Sequence, residues 1–328
     1  MRAIVIKHYG GPEVLSLAER PDPKPAADQV LIEVKAIGLN HAEVYLRSGT
    51  WGDVAEITGI ECVGIVREDP GNRFKPGTKV FAIVGGLGRN LNGSYAELVA
   101  APRSNVVAIE SDLSWEALAA IPESYATAWT ALVAILRLES GQTTLIRGAT
   151  SALGQAAINI AHNLGARVIA TTRKTERIAL LRDLGAEEVL IDIPDLSNHI
   201  RKSHPGGVDS VLEIVGDTTV LDSLAALRRG GGVCQVGFLG GGGPLTLEPV
   251  FQIPSGRHLT AFASAIVTGT SEFPLAEIPF QAIVNHVAAG TYKATPAHVF
   301  DFSEIQEAHR IMERGAQLGK MVVRVDAD

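Results

Sequence analysis

The stretch TTLIRGATSALGQAAINIAHNLGARVIATTRK, Thr143 to Lys174, decides how the rest of the chain is read. It opens with an apolar run closed by Arg147 and Gly148, continues with helical spacing over Leu153 to Asn163, and returns to a β-rich run, ARVIATT. Strand, tight turn, helix and strand in that order need a crossover that lays the two strands parallel, the repeating unit of a doubly wound α/β sheet.

The same alternation carries on downstream. A helix is predicted over Glu176 to Leu184, then the runs EVLID (188–192) and VDSVLEIVG (208–216), a helix over Val220 to Leu227, and GGVCQVGFLGG (231–241). Upstream, the runs RAIVIKH, QVLIEVKAIGLN, GIECVGIVRED, TKVFAIV and SYAELVA read as short strands of a β-rich module. Beyond Phe262 come helices near Pro279–Ala289 and Ser303–Glu313 and a last strand, GKMVVRV. Those pieces are too small to fold alone, so they are expected to complete the N-terminal module. The predicted division is residues 1–118 with 265–328 for one domain, and 119–264 for the other.

Composition narrows the function. With 328 residues, 46% of them hydrophobic, the chain has material for two cores. A net charge of −7 opposes a polyanionic partner, so nucleic acid is set aside. Cys62 and Cys234 each lie in an apolar run and read as buried free thiols. The N-terminus alternates like a strand, without the apolar core and cleavage site of a secretion signal, which points to the cytosol. The apolar window Ala117 to Leu136 contains Pro122 and Glu123 and is not expected to span or anchor in a membrane.

The turn itself suggests a ligand. Gly148 can let the backbone bend sharply and Gly154 can let a helix start close to the sheet. A pyrophosphate over Gly148, Ala149, Thr150, Ser151, Ala152, Leu153 and Gly154 would meet the open N–H groups of the helix N-terminus. The complete G-x-G-x-x-G pattern is absent, and the alternative is a strand-to-helix turn that binds no nucleotide. At the end of the next strand, where an NAD enzyme carries an acid for the ribose hydroxyls, stand Thr172, Arg173 and Lys174, with Arg177 a turn later. Guanidinium groups pair with a 2′-phosphate, so NADPH is the expected cofactor. The competing view makes these cations, with Glu176, a solvated helix start.

Six motifs in order carry a resemblance: GLNHAEVYLRSG (38–49), TGIECVGIV (58–66), IPESYATAWTAL (121–132), GATSALGQAAINIA (148–161), GGVCQVGFLGG (231–241) and GKMVV (319–323). The chain resembles the zinc-independent quinone oxidoreductases and related enoyl reductases of the medium-chain dehydrogenase/reductase superfamily. The resemblance implies a GroES-like catalytic domain from both chain ends, a Rossmann domain between them, a site in the intervening cleft, and a homodimer. It also implies that Asn40 and Tyr45 face nicotinamide and substrate, that Thr127, Gly237 and Phe238 lie beside the nicotinamide, that Arg177 meets the 2′-phosphate, and that Lys320 belongs to the terminal motif of the cofactor site. Three departures stand out. Ser151 and Ala152 replace two glycines, His41 replaces a proline or phenylalanine, and Asp192 replaces a tyrosine near the adenosine phosphate, where an acid could repel that phosphate.

Zinc relatives of this superfamily use ligands at positions held here by Asn40 and Ile60, and no cysteine lies near Thr127, so no metal is expected. Charge developing on a substrate oxygen must then meet hydrogen-bond donors, Tyr45 first and Asn40 beside it. Glu43 and Arg47, four residues apart, are predicted to form a helix ion pair. The expected chemistry is hydride transfer from NADPH to a small quinone or α,β-unsaturated carbonyl. The alternatives are an enoyl-thioester or 2-alkenal reductase of the same fold, and a non-catalytic NADPH-binding protein.

Overall fold

The computed structural model describes residues 1–241, 243–315 and 318–325. The chain divides into two compact units, one of residues 1–123, 265–290 and 294–328, the other of residues 124–264 and 291–293.

The first unit begins with a hairpin of β1 (Arg2–Ile6) and β2 (Leu15–Glu19). β3 (Gln29–Gly38) shows why the strand forms: Val30, Ile32, Val34 and Ala36 alternate inward, all at 1% exposure or less, with partly exposed residues between them. Helix α1 (His41–Ser48) follows at once, then β4 (Glu61–Glu68), β5 (Lys79–Ile83), β6 (Leu98–Pro102), β7 (Val106–Ala108) and α2 (Trp115–Ala119). α3 (Pro122–Trp129) leads into the second unit.

There, β8 (Thr143–Arg147), β9 (Arg167–Thr172), β10 (Glu188–Ile191), β11 (Val208–Glu213), β12 (Leu227–Gln235) and β13 (His258–Ala261) form a wholly parallel sheet in the order β10-β9-β8-β11-β12-β13. The helices between are α4 (Ala152–Asn163), α5 (Ile178–Asp183), α6 (Leu196–Ser203) and α7 (Val220–Ala226), with short α8 (Pro249–Gln252) beyond. Every residue of β8 is buried, as a central strand covered on both faces must be. Leu145 and Ile146, fully buried there, each contribute about 1.5–3 kcal/mol by leaving water. The order reverses between β8 and β11, so the chain on either side of β8 leaves its carboxyl end in opposite directions and opens a crevice.

From residue 265 the chain is back in the first unit, with α9 (Ser264–Val267), α10 (Phe280–Ala288), β14 (His298–Asp301), α11 (Ile305–Glu313) and β15 (Met321–Arg324). β15 pairs antiparallel with β3 and gives that unit's sheet the order β14-β15-β3-β4-β5-β7, with β6 also on β3. Residues 291–293 belong to the second unit because Asn159 donates to the Lys293 carbonyl and accepts from its N–H, while Tyr292 stacks on Tyr125. The architecture is the expected α/β class, a β-rich module with a Rossmann-type sheet. Both cysteines are buried free thiols.

Candidate functional site

In the second unit the crevice is built from the β8–α4 turn. Gly148 has φ +85°, a left-handed conformation that side chains resist, and it releases the chain from the strand into the turn. Ser151 closes the turn: its hydroxyl donates to the Gly148 carbonyl at 2.9 Å and accepts from the Gly154 N–H at 3.0 Å, capping α4. The amides of Ala152 and Leu153 remain the open donors of the helix end. A Cβ on Gly154 would lie 2.6 Å from the Ala149 Cα, so only glycine lets this helix seat so close to the turn. The serine that replaces a family glycine therefore serves as the helix cap.

Beside the turn lies a cavity of about 880 Å³, lined among others by Gly148, Thr150, Thr172, Arg173, Asp192 and Leu239. Arg147, which sequence reasoning passed over, forms its floor. The guanidinium, 2% exposed, donates to Asp192 (2.8 and 3.1 Å), to Asp222 (2.8 Å), to the Thr219 carbonyl (3.2 Å) and to the Ser223 hydroxyl (3.3 Å). Its burial opposes the charge while the two carboxylates sustain it, and the balance raises its pKa. The Asp192 carboxylate is thus matched by a cation, and its expected repulsion of a phosphate is offset locally. The readable signal was a lone charge closing an otherwise apolar strand. Glu213, buried at the end of β11, accepts from the Val215 and Gly216 N–H groups and from the Ser223 hydroxyl, and so shapes the next loop.

The cations at the end of β9 are not alike. Arg173 and Lys174 are exposed, and Lys174 lies 3.9 Å from Glu176. Thr172 folds its hydroxyl back onto Lys174, accepting from its N–H at 3.2 Å. Arg177 is 9% exposed, and among the described residues nothing pairs with its guanidinium. It sits on a 3₁₀ turn, Thr175–Arg177, ahead of α5, where a single helix from Glu176 was expected. Of the other candidates in this unit, Thr127 is buried on α3, and Gly237 and Phe238 lie in the loop after β12, Phe238 at 37% exposure.

The first unit holds Asn40, Tyr45 and Lys320. The Lys320 ammonium, in a residue 5% exposed, donates to Glu61 at 2.5 Å and to the Asn40 side-chain oxygen Oδ1 at 2.7 Å. Asn40 in turn donates to Glu61 at 2.8 Å and to the Gly38 carbonyl at 3.3 Å, so its amide is engaged inside this cluster. Glu43 accepts from the Asn40 and Ile60 N–H groups. Burial pushes its carboxyl up to about 8, Lys320 pulling the other way. The predicted ion pair of Glu43 with Arg47 does not form. Glu43 turns inward to cap its own helix, while Arg47, fully buried, reaches the Gly10 carbonyl at 2.7 Å and Glu313. Tyr45, half-buried on the same helix, lies against Trp51 with ring centroids 5.1 Å apart. Burial raises its phenol above the ordinary 10, so it stays protonated as a donor. Among the described residues no three of His, Cys, Asp and Glu converge as metal ligands would.

Comparison with known proteins gives two family matches, "Alcohol dehydrogenase GroES-like domain" over residues 26–111 and "Zinc-binding dehydrogenase" over residues 152–279. The quinone oxidoreductase of Rattus norvegicus is 30% identical, covering 98% of this chain and 97% of its own length. Among solved structures, a mycobacterial protein complexed with NADPH is 26% identical with a TM-score of 0.87, over 99% of this chain and 100% of that one. An NAD-dependent alcohol dehydrogenase is 28% identical with a TM-score of 0.84, over the same shares.

Proposed function

The chain belongs to the quinone-oxidoreductase-like branch of the medium-chain dehydrogenases/reductases, and on that premise we propose that it reduces a small quinone or α,β-unsaturated carbonyl with NADPH and without zinc. The observation that carries the cofactor choice is Arg177, 9% exposed on the turn after β9, with nothing paired to its guanidinium among the described residues. A guanidinium with its donors uncommitted can take a phosphate in a bidentate, charge-assisted pair. The residues present fit the dinucleotide: the open amides of Ala152 and Leu153 for the pyrophosphate, Gly154 for close approach, Arg177 and Arg173 for the 2′-phosphate. When bound, NADPH supplies the hydride.

The chain's own part is to position and to donate. Tyr45 carries a protonated phenol suited to meet charge on the acceptor oxygen, and the Lys320–Glu61–Asn40 cluster anchors the start of its helix. The donor set argues for chemistry without zinc: an amide and an aliphatic side chain stand at the ligand positions, and the lysine ammonium already sits against Glu61. We also assign the chain to the cytosol and to a homodimer. The outer edge of β13, which no strand pairs with among the described residues, and exposed Val250 and Phe251 support a second copy as the partner.

The test joins binding to turnover. NADPH should bind more tightly than NADH, and Arg177→Ala should erase about tenfold or more of that preference, the worth of a charge-assisted hydrogen bond. Turnover with NADPH should appear with quinones or enones. Confinement to acyl thioesters would transfer the assignment to the enoyl-reductase alternative. Equal affinity for the two dinucleotides, or stoichiometric zinc in the active protein, would refute the corresponding part.

A further inference from the structure

We infer that Asp192 reads the base of the dinucleotide, accepting a hydrogen bond from the 6-amino group of adenine. This rests on the nicotinamide-dinucleotide reading above and assigns a specificity to the far end of the same crevice.

The argument starts from how the carboxylate is held. Both Arg147 contacts, Nε at 3.1 Å and Nη2 at 2.8 Å, fall on Oδ1. Among the described residues Oδ2 has only the Thr171 hydroxyl, at 3.5 Å, and that hydroxyl also accepts from the Gly148 N–H at 3.2 Å. One oxygen is therefore clamped and the other is left with acceptor capacity, on a side chain that lines the cavity and is 12% exposed. Arg147 is itself fixed from the opposite side by Asp222, so Asp192 cannot easily swing away. An ionised carboxylate accepts and does not donate. Whatever faces Oδ2 must bring a hydrogen.

Position then selects the donor. A phosphate at the β8–α4 turn and a ribose at the end of β9 follow from the open amides and from Arg177. β10 pairs beside β9, one strand spacing of about 4.8 Å further on, and Asp192 is the residue that follows it, its N–H bonded to the Thr172 carbonyl at 2.8 Å. The group that lies one strand beyond the ribose is the base. Ile193 and Pro194, which follow Asp192 along the cavity wall, offer the apolar surface that a purine face takes. Adenine brings an amino hydrogen to its polar edge. Hypoxanthine has a carbonyl oxygen there and would set it against the carboxylate.

The experiment compares NADPH with its hypoxanthine counterpart, reduced nicotinamide hypoxanthine dinucleotide phosphate, by titration of the unmodified protein. NADPH is expected to bind on the order of tenfold more tightly or better. In Asp192→Asn, where the amide can turn either its oxygen or its nitrogen to the base, that ratio should collapse toward one, largely through tighter uptake of the hypoxanthine form. Equal affinities in the unmodified protein would overturn the role of Asp192 and leave the NADPH reading standing. A ratio that survives intact in Asp192→Asn would overturn it equally. Saturable uptake of neither dinucleotide would overturn the cofactor reading and this inference with it. Should Asp192→Asn fail to fold, Asp192→Ser takes its place, with the same collapse of the ratio expected and the same survival overturning the assignment.

Discussion

Glu43 shows how a residue legible as a surface charge becomes a buried proton store. It shares a dry cluster with Glu61 and Lys320, and two carboxylates with one ammonium would leave an uncompensated charge. Burial above all, with the Glu61 carboxylate nearby and Lys320 opposing only in part, makes Glu43 keep its proton up to about 8, against an ordinary 4.5. The consequence has a definite sign. Between 4.5 and about 8 the unfolded chain has released a proton that the folded chain still holds, so this group makes stability fall as pH rises through that window and level off above it. Thermal midpoints measured across that window should decline less steeply in Glu43→Gln than in the unmodified protein; coincident slopes would show that another group is responsible. The i,i+4 spacing with Arg47 gave no hint of this. Spacing reports which residues share a helix face, and it is silent on whether that face meets water or the neighbouring β4.

Among the elements, the β8–turn–α4 unit is where sequence and structure agree most closely, because its glycines, its cap and its apolar strand are all local requirements. Gly154 gives that agreement a test. The atoms its added Cβ would meet are backbone atoms of Ala149, at 2.6 to 2.7 Å, which have no rotamer to turn away. Gly154→Val should cost about 1–3 kcal/mol in a urea unfolding series and should weaken dinucleotide uptake, since α4 must retreat from the turn. Unchanged unfolding and unchanged uptake would show that the turn adapts. Short elements were less legible. β13 is only four residues, HLTA, and it is a strand because β12 offers Gly232 to Gln235 as partners. Within the run GGVCQVGFLGG, β12 ends at Gln235, ahead of Gly237 and Phe238. From there the chain lies against the β11–α7 loop, with Leu239 N–H on the Ile214 carbonyl and Gly240 N–H on that of Val215.

At the scale of the whole molecule, the second unit's sheet ends on β13, and among the described residues no strand pairs with its outer edge. Val250 and Phe251 stand 82% and 81% exposed a few residues before it. Open edges and exposed large apolar side chains invite association. Sedimentation of the unmodified protein should give twice the mass of the chain, and the double substitution Val250→Asp, Phe251→Asp should give the mass of one; a monomer before substitution would end the homodimer proposal. The fold class and the position of the β8–α4 turn were determined by the sequence alone, since strand alternation, helix spacing and glycine geometry are short-range demands that each segment satisfies by itself. Only the tertiary structure decided which charges meet. The ties of Arg147 to Asp192 and Asp222, of Lys320 to Glu61 and Asn40, and of Arg47 to Glu313 span from 45 to 280 positions along the chain. Electrostatic partnership depends on distance through space and on burial, and neither is written in the local pattern of residues.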